Sequence, residues 1–385
     1  MRVFTLIDCY LPGFRHGGPI RTVANLAEQA PDDIEFWIFT RNKDRGSSEP
    51  YPGVPYDEWV RVGPAMVCYA TRNGELLPSL IREVKRIRPD LLYANSLFSS
   101  MTTRMLVARR LGLLRQPLLL APRGELAKAA LALKRWKKAP YLALARKALL
   151  SRNIHWQAST VEERGDIERE IGLGGVRISV ARDVVGSLPV ARSDFAGKTK
   201  GVARFAFLSR ITAMKNLPYA IQCMASVRGR ATFDIFGPKD DGSSWEESAR
   251  AIAKLPANIK AKYRGSVNPA DVVPTLKRYH FFVLPTRGEN FGHVIFEALS
   301  AGCPVVCSNR TSWGDISSTN AGWILPLEQP QLWTAAFQEC IDMGSDEYAR
   351  RSESARRLAE RVAGAEAVEA TVELLRTAGH NSGTP

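Results

Sequence analysis

The sequence predicts an α/β protein built from two doubly wound, Rossmann-like domains that face each other across a cleft. Short apolar runs alternate with helical patterns along the chain, which is typical of parallel sheets covered by helices. The chain has 385 residues, and a single hydrophobic core stops growing at about 250 to 300 residues. Open parallel sheets bind ligands beyond the carboxyl ends of their strands, so two facing sheets predict a ligand cleft between the domains.

Buried strands are expected in both halves, as short apolar runs bounded by turn-forming residues. In the first half they cover residues 3–8, 34–40, 91–94, 118–121 and 155–158. In the second half they cover residues 204–208, 231–236, 259–263, 280–284 and 304–307. Apolar residues at helical spacing predict helices between the strands, and one such run, from Leu76 to Ile87, stops before Pro89.

A polar stretch without periodicity, residues 186–200, separates the two halves and is predicted to be a linker. We therefore expect an N-terminal domain at 1–185 and a C-terminal domain at 201–345. The remaining residues, 346–385, are charged and helical without any strand. Their position suggests helices that cross back to the N-terminal domain.

The composition is that of a globular protein without membrane spans. Hydrophobic residues make up 45% of the chain, and no apolar stretch approaches the roughly 18 residues of a spanning helix. The N-terminal residues lack the pattern of a secretory signal, so we expect a cytoplasmic protein. The six cysteines are scattered like reduced core residues, and the five histidines do not cluster at ligand spacing, so no metal site is expected.

The formal net charge of +14 would attract nucleic acid, anionic membrane or phosphorylated small molecules without choosing among them. The sequence has no zinc-finger spacing, aromatic RNA-binding strand or recognition-helix signature. We therefore expect no nucleic-acid partner. A basic nucleic-acid-binding protein remains the alternative from a different functional class.

The most informative segment follows the predicted strand 280–284. A loop of residues 286–292 leads into a helix, so the free amides and dipole of the helix N-terminus favour an anionic ligand group such as phosphate. Gly292 permits close approach of the backbone. Glu289 and Glu297 carry carboxylates that accept hydrogen bonds from hydroxyls, which suits a ligand with ribose and sugar diols.

This segment resembles the family 4 glycosyltransferases of the GT-B fold, in particular their exopolysaccharide and lipopolysaccharide types. The hallmark of that family is two glutamates separated by seven residues, and here it reads Glu289-Asn-Phe-Gly-His-Val-Ile-Phe-Glu297. The resemblance continues through residues 298–306 and implies that Glu289 contacts the transferred sugar and Glu297 the donor ribose. The implied donor-binding residues here are Glu297, Asn290, Phe291, Gly292 and His293. The alternative is that both glutamates merely complement the helix dipole.

A second pair of candidates follows the first strand of the C-terminal half. Arg210 ends that strand and Lys215 closes the loop before a helix. Their charges would neutralise a nucleoside diphosphate and stabilise it as a leaving group. The segment resembles the family's Gly-Arg-(x)4-Lys-Asn pattern, with Ser209 in place of the usual glycine. The alternative is two solvated surface cations. With Glu289, Arg210 and Lys215 are the candidate catalytic residues.

Two loops of the N-terminal half are further candidates. Gly17 and Gly18 lie between the first strand and a helix, in segment 16–21, and are similar to the family's donor-facing loop; an ordinary turn is the alternative. Arg123 and Glu125 follow the predicted strand 118–121, where many family members carry a histidine. They are candidates for contacts with the acceptor or donor, and a structural ion pair within the loop is the alternative.

Two features are less specific. Trp313 lies in a loop similar to one in exopolysaccharide-type members, where it would either stack on a base or pack under the loop. The segment 126–153 mixes lysines and arginines with Trp136 and Tyr141, a composition that suits contact with anionic lipid. The alternative is a helix that packs one face on the domain and solvates its lysines.

The resemblance implies a retaining, metal-independent hexosyltransferase that needs no cofactor besides a nucleotide-sugar donor, with a UDP-sugar favoured and a GDP-sugar as the alternative. The N-terminal domain would bind the acceptor and the C-terminal domain the nucleotide-sugar donor. The acceptor would be a glycan or lipid-linked molecule in polysaccharide or glycoconjugate biosynthesis, with peripheral contact at the inner face of a membrane. A sugar-nucleotide 2-epimerase shares the two-domain architecture and is the rival enzyme. A third interpretation is a catalytically silent homologue. The presence of both glutamates, Arg210 and Lys215 argues against it.

Overall fold

The structure, a computed structural model, describes residues 1–15, 17–71, 76–150, 153–172, 176–188 and 197–380. The chain forms two compact units, one comprising Met1–Gly186 with Ala365–Pro385 and the other Ser187–Gly364. Each unit is built on a largely parallel sheet covered by helices. The predicted α/β class with two Rossmann-like domains is confirmed. Within predicted segments, residues 189–196 of the linker, 151–152 of the basic segment, His16 and 381–385 lie outside the described residues.

The first unit is an α/β sandwich with one eight-stranded sheet. Its elements are β1 (Arg2–Leu6), α1 (Gly18–Gln29), β2 (Glu35–Arg41), β3 (Trp59–Val62), β4 (Ala65–Ala70), α2 (Leu76–Ile87), β5 (Leu91–Asn95), α3 (Ser100–Arg110), β6 (Leu118–Ala121), α4 (Lys128–Ala132), α5 (Arg135–Ala148), β7 (Ile154–Ala158), α6 (Val161–Ile171) and β8 (Arg177–Val180). The sheet order is β3-β4-β2-β1-β5-β6-β7-β8, and only the edge pair β3 and β4 is antiparallel.

Strand β1 is central because both of its faces are buried. Phe4 and Leu6 contribute to the apolar layer on one side of the sheet, and Val3 and Ile7 to the layer on the other side. A strand covered on both faces reads as a continuous apolar run, which is why the sequence predicted it. From β1 the chain winds outward through β2 in one direction and through β5 in the other. The loops after β1 and β5 therefore diverge, and a ligand crevice forms at such a switch point.

The second unit has an all-parallel, six-stranded sheet. Its elements are β9 (Val202–Leu208), α7 (Leu217–Met224), β10 (Arg230–Phe236), α8 (Gly242–Ile252), β11 (Ile259–Gly265), a 3-10 turn (Pro269–Asp271), α9 (Val272–Leu276), β12 (Phe281–Leu284), α10 (His293–Ser300), β13 (Val305–Ser308), α11 (Asp315–Ser318), β14 (Gly322–Leu325), α12 (Pro330–Asp342) and α13 (Ser345–Val362). The strand order is β11-β10-β9-β12-β13-β14, so the switch point lies between β9 and β12.

The C-terminal helices are divided between the units. Helix α13 is part of the second unit, whereas the last helix, α14 (Glu366–His380), is part of the first. Leu374 and Leu375 of α14 lie in the same apolar layer as Val3 and Leu91. Arg376 also donates to Asp33, at 2.9 Å from its Oδ2. The first unit is therefore completed by the end of the chain.

Four strands that the sequence did not predict lie at or next to the sheet edges. They are β3, β4, β8 and β14. Strands β3, β8 and β14 are partly exposed and only four residues long, so their apolar pattern is weak. Strand β4 is well buried, but it follows the Gly63-Pro64 turn and looks like the continuation of a loop. In the described part of the chain, no helix combines the length and apolarity required to cross a membrane.

We predict that buried histidine makes the fold sensitive to mild acid. Burial, with help from Arg177, lowers the pKa of His155 from its ordinary 6.5 to about 4. Between these two pH values the unfolded chain binds a proton that the folded chain does not, so stability falls as the pH falls from about 6.5 to about 4. The loss from this one residue is at most about 3 kcal/mol.

Melting temperatures measured between pH 7.5 and 4.5 test this. His155→Gln should show a shallower decline than the wild type, while His380→Gln, at an exposed position, should follow the wild-type curve. Parallel curves for the wild type and His155→Gln would contradict the prediction.

Candidate functional site

The main candidate site lies at the switch point of the second unit, where the loops after β9 and β12 meet. The amide of Arg287 donates to the carbonyl of Met214 at 2.7 Å, and the hydroxyl of Thr286 donates to the same carbonyl at 3.2 Å. These bonds hold the two loops side by side. The strand order therefore brings together two segments that are far apart in sequence.

An ion pair between Lys215 and Glu289 joins these two loops. The ammonium of Lys215 donates to Oε2 of Glu289. The side chains are only 12% and 17% exposed, so the charges are shielded from most of the solvent. The amide of Glu289 also donates to the carbonyl of Arg310 at 2.9 Å, which fixes the backbone beneath the carboxylate. Two predicted catalytic residues thus lie in direct contact.

Gly292 sets the approach of helix α10 to this pair. Its φ of +79° is left-handed, and a Cβ built there would lie 2.8 Å from Cγ of Glu289. Only glycine avoids both the strain and the overlap. Helix α10 begins at the next residue, His293, so its N-terminal amides open beside the glutamate loop. Glu297 lies one turn further along the same helix and is buried.

An aromatic cluster supports the loop from below. The rings of Phe291 and Trp313 lie 5.4 Å apart, and those of Phe291 and His293 lie 5.1 Å apart. The indole N–H of Trp313 donates to the carbonyl of Phe291. All three side chains are buried. Of the two roles considered for Trp313, the structure supports packing under the loop.

Arg210 lies at the other end of the first loop. Its guanidinium is 3.4 Å from Asp240, and both side chains are about one-third exposed, at 32% and 28%. Asp240 follows β10, and Gly237 allows that turn to approach closely, since a Cβ there would lie 1.9 Å from the carbonyl oxygen of Ser209. Nothing in the local sequence pairs Arg210 with Asp240, which lies 30 residues further along the chain.

Asn216 and Asn290 flank the two loops. Asn216 has a left-handed φ of +55° and precedes helix α7, and its side-chain oxygen accepts a hydrogen bond from Arg287 at 3.3 Å. Asn216 follows Lys215 directly, so this turn orients the lysine. Asn290 follows Glu289 within the ordered loop.

In the first unit, the glycine loop is held by a carboxylate that the sequence did not indicate. Gly17 has a φ of +76° and caps α1, and Gly18 is the first residue of that helix. The amides of Phe14 and Arg15 donate to Oδ2 of Asp44 at 2.9 and 3.0 Å. Asp44 follows β2 and therefore lies at the same edge of the sheet.

Arg123 is enclosed in a hydrogen-bonded network rather than exposed for ligand contact. Its guanidinium is 3% exposed and forms an ion pair with Asp183. It also donates to Oδ1 of Asn95 at 3.0 and 2.8 Å and to the hydroxyl of Tyr93. Tyr93 donates in turn to Gln157 at 2.7 Å. This network ties β5, β7 and the segment after β8 together.

Glu125 has its own partners and does not form the ion pair with Arg123 that was the alternative to a ligand contact. Its carboxylate accepts from the hydroxyl of Ser96 at 2.6 Å and from the amides of Leu97 and Phe98 at 2.7 and 3.1 Å. Burial raises the pKa of Glu125 despite these hydrogen bonds. The geometry favours a structural role for both residues, in the loops after β5 and β6.

The second unit matches a known family. Residues 193–358 match the family described as "Glycosyl transferases group 1". The chain is 28% identical over 146 residues to an uncharacterized glycosyltransferase of Methanocaldococcus jannaschii, a match covering 37% of each protein. It is 26% identical over 166 residues to the GtfA subunit of a UDP-N-acetylglucosamine–peptide N-acetylglucosaminyltransferase of Streptococcus agalactiae, covering 40% of this chain and 31% of that protein. About a third of each relative's length is therefore matched.

Solved structures match over nearly the whole chain. Sucrose-phosphate synthase from Thermosynechococcus elongatus has a TM-score of 0.69 at 15% identity, covering 98% of both chains. WaaG, a glycosyltransferase involved in lipopolysaccharide biosynthesis, has a TM-score of 0.67 at 14% identity, covering 97% of this chain and 99% of that one. Anabaena HepE in complex with UDP and glucose has a TM-score of 0.66 at 16% identity, covering 98% and 99%.

These likenesses show the fold. The chain has the fold of the GT-B glycosyltransferases. The Lys215–Glu289 pair lies within the residues that match the group 1 glycosyl transferases.

We predict that Gly292→Ala displaces Glu289. A methyl group at a left-handed φ costs about 1 kcal/mol, and the overlap with the glutamate side chain adds to that cost. Gly242→Ala is a matched control, because that position has open space around it and no positive φ. Thermal unfolding should show a lower melting temperature for Gly292→Ala than for the wild type. The melting temperature of Gly242→Ala should be unchanged. Equal melting temperatures for the two variants would contradict the geometry.

Proposed function

We propose that this protein is a retaining glycosyltransferase that moves a hexose from a nucleoside-diphosphate sugar to a hydroxyl of a glycan or lipid-linked acceptor. The observation that carries the proposal is the shielded Lys215–Glu289 ion pair at the switch point of the second unit. It combines a cation suited to a diphosphate with a carboxylate suited to sugar hydroxyls. The group 1 glycosyl transferase match over residues 193–358 supports it.

The diphosphate would be held by cations and helix amides. Lys215 and Arg210 flank the loop after β9, and each is balanced by a carboxylate of the same unit, Glu289 and Asp240. A diphosphate would take over hydrogen bonds from these carboxylates. The N-terminal amides of α10 would add further donors to a phosphate oxygen. In this proposal the two cations and the helix terminus stabilise the leaving group.

The two glutamates would bind the sugar and the nucleoside. With Lys215 engaged by phosphate, the Glu289 carboxylate accepts a hydrogen bond from a hydroxyl of the transferred sugar. Glu297, one turn into α10, accepts from the ribose diol. Charged acceptors of this kind form strong hydrogen bonds with hydroxyls, at about 1.5 to 3 kcal/mol each.

The reaction step needs no dedicated protein base. The bond between the anomeric carbon and the β-phosphate oxygen breaks, and a bond to the acceptor oxygen forms on the same face of the sugar. The acceptor proton passes to the departing β-phosphate oxygen. Lys215 and Arg210 stabilise the negative charge that grows on the diphosphate, an interaction that is stronger in the transition state than in the bound substrate.

A UDP-sugar is the favoured donor and a GDP-sugar the alternative. Support for UDP comes from the likeness to HepE, whose structure holds UDP and glucose, and to the GtfA subunit of an enzyme that uses UDP-N-acetylglucosamine. The likeness to WaaG, involved in lipopolysaccharide biosynthesis, supports a role in polysaccharide or glycoconjugate biosynthesis.

We predict that Lys215→Met and Glu289→Gln each lower sugar transfer by at least about 100-fold, because each removes an electrostatic contact to the reacting groups. Either single change also leaves one charge shielded and uncompensated, which destabilises the protein by up to about 3 to 5 kcal/mol. The double variant Lys215→Met/Glu289→Gln removes both charges and should regain stability while remaining inactive.

Circular dichroism and thermal shifts with UDP and GDP would accompany the transfer assay. Arg357→Ala, which breaks an exposed helix pair with Glu353, is the control and should keep full activity. Activity in the double variant, or wild-type protein that shows no thermal shift with either nucleotide, would refute the proposal. Incubation with nucleotide sugars and no acceptor separates the rivals, because slow donor hydrolysis supports a transferase and epimer formation supports a 2-epimerase.

We further propose that α4 and α5 contact an anionic membrane at its inner face. Helix α5 buries Leu142 and Ala145, yet its opposite side carries a second apolar stripe. Trp136 and Leu144 on that stripe are 73% and 63% exposed. The helix already packs its other face on the domain, so these exposed apolar side chains need another partner. Such a surface suits the boundary between lipid headgroups and acyl chains.

Cations lie on another side of the same helices. A groove of about 380 Å3 along α4 and α5 is lined by Leu131 and Leu142, the latter on the buried side of α5. The groove is also lined by four cations, namely Lys128, Arg135, Lys138 and Arg146, and by Glu170. Basic residues near an anionic surface contribute about 1 kcal/mol each. Their charge complements phosphate headgroups and would bring the enzyme to a lipid-linked acceptor.

We predict that the wild type co-sediments with vesicles of phosphatidylglycerol and phosphatidylcholine and not with phosphatidylcholine alone. The double variant Trp136→Ser/Leu144→Ser should reduce binding by about tenfold or more, because it removes the apolar contact. Val161→Ser, at a 71% exposed apolar position of the same unit, should bind as the wild type does. Equal binding by all three proteins, or none by the wild type, would rule out this surface.

A further inference from the structure

The first unit has a polar cluster at its own switch point that none of the roles above uses. Asp8 follows β1, Arg41 is the last residue of β2, and Ser99 and Ser100 follow β5 at the start of α3. All lie at the carboxyl ends of their strands, where open parallel sheets bind ligands. In the second unit, the equivalent position holds the Lys215–Glu289 pair.

Hydrogen bonds fix the carboxylate of Asp8 on one side only. The hydroxyl of Ser99 donates to Oδ1 of Asp8 at 2.6 Å. The same Ser99 oxygen accepts from the amides of Met101 and Thr102, so Ser99 caps α3 by itself. Asp8 is therefore not required as the helix cap. The hydrogen bonds found among the described residues use Oδ1 of Asp8 and leave Oδ2 for another donor.

Arg41 completes the cluster. Its Nε lies 3.8 Å from Oδ1 of Asp8, beyond hydrogen-bond distance, and its Nη2 donates to the hydroxyl of Ser100. The buried Nε has no hydrogen-bond partner among the residues that the structure describes. Buried polar groups are normally hydrogen-bonded, so the guanidinium of Arg41 is not fully satisfied by the protein.

The cluster combines a hydrogen-bond acceptor with a donor. The carboxylate of Asp8 and the guanidinium of Arg41 lie side by side. The side chains keep 22% and 30% of their surface exposed and can be reached. A carboxylate that accepts beside a guanidinium that donates matches two neighbouring hydroxyl groups, each of which can donate and accept.

We infer that Asp8 and Arg41 bind a pair of neighbouring hydroxyls on a sugar residue of the acceptor. The inference rests on the proposed function and adds a substrate-binding site in the first unit. This site does not include the ligand-contact candidates named from the sequence, which are Gly17, Gly18, Arg123 and Glu125. Asp8 accepts one hydroxyl proton through Oδ2, and Arg41 donates to the neighbouring oxygen.

Saturation-transfer difference NMR with the methyl glycosides of glucose, galactose and mannose tests the inference directly. The wild type should saturate at least one of them. Asp8→Asn and Arg41→Gln should each reduce that signal at least fivefold. Asp90→Asn is the matched control, since Asp90 also accepts a hydrogen bond, from the amide of Arg2, but lies at the amino ends of the strands; it should behave as the wild type.

Thermal shifts with UDP and GDP on the same proteins separate this inference from the proposed function. Both variants should keep the wild-type nucleotide response. No saturation of any methyl glycoside by the wild type, or full saturation in both variants, overturns the site even if the nucleotide binds. A wild type that binds a methyl glycoside through Asp8 but neither nucleotide would retain the sugar site and overturn the transferase.

Discussion

The chemistry of this protein depends on a constraint of chain topology. In each unit, a central strand is followed by strands laid down first on one side and then on the other. The two loops that leave neighbouring strands at this reversal have to turn in opposite directions, and the space between them is left open. The Lys215–Glu289 pair spans that position in the second unit, and the Asp8–Arg41 cluster lies at it in the first. In both units, strand order determines where the site lies, and the side chains determine only what it can bind.

The charged pair in the second unit also shows why such a site is sensitive to change. Lys215 and Glu289 are shielded from solvent, and each is acceptable there only because the other is present. Gly292 packs so closely against Glu289 that a Cβ on the glycine would lie 2.8 Å from Cγ of Glu289, so the backbone leaves little freedom for the carboxylate. A ligand that replaces one partner must supply equivalent charge, which favours a phosphate opposite Lys215.

Much of the fold follows from the sequence because the central strands are apolar on both faces, as β1 and β12 are. The edge strands β3, β8 and β14 were missed because partial exposure leaves them no clear pattern. Within the site, the glutamate loop and Lys215 were each found from local sequence. Their contact was not, since nothing local reveals that β9 and β12 are neighbours. The same limit explains Arg123, whose partners Asp183 and Asn95 come from distant parts of the chain.

The return of α14 to the first unit has a consequence for biosynthesis. Leu374 and Leu375 share an apolar layer with Val3, more than a whole domain earlier in the sequence. A ribosome makes the N-terminal strands before the second unit and α14 after it, so the first unit cannot complete its core until the second unit has been synthesised. Until then its sheet has an uncovered apolar patch, which nascent-chain chaperones would recognise. Loss of α14 would therefore destabilise the first unit rather than the second.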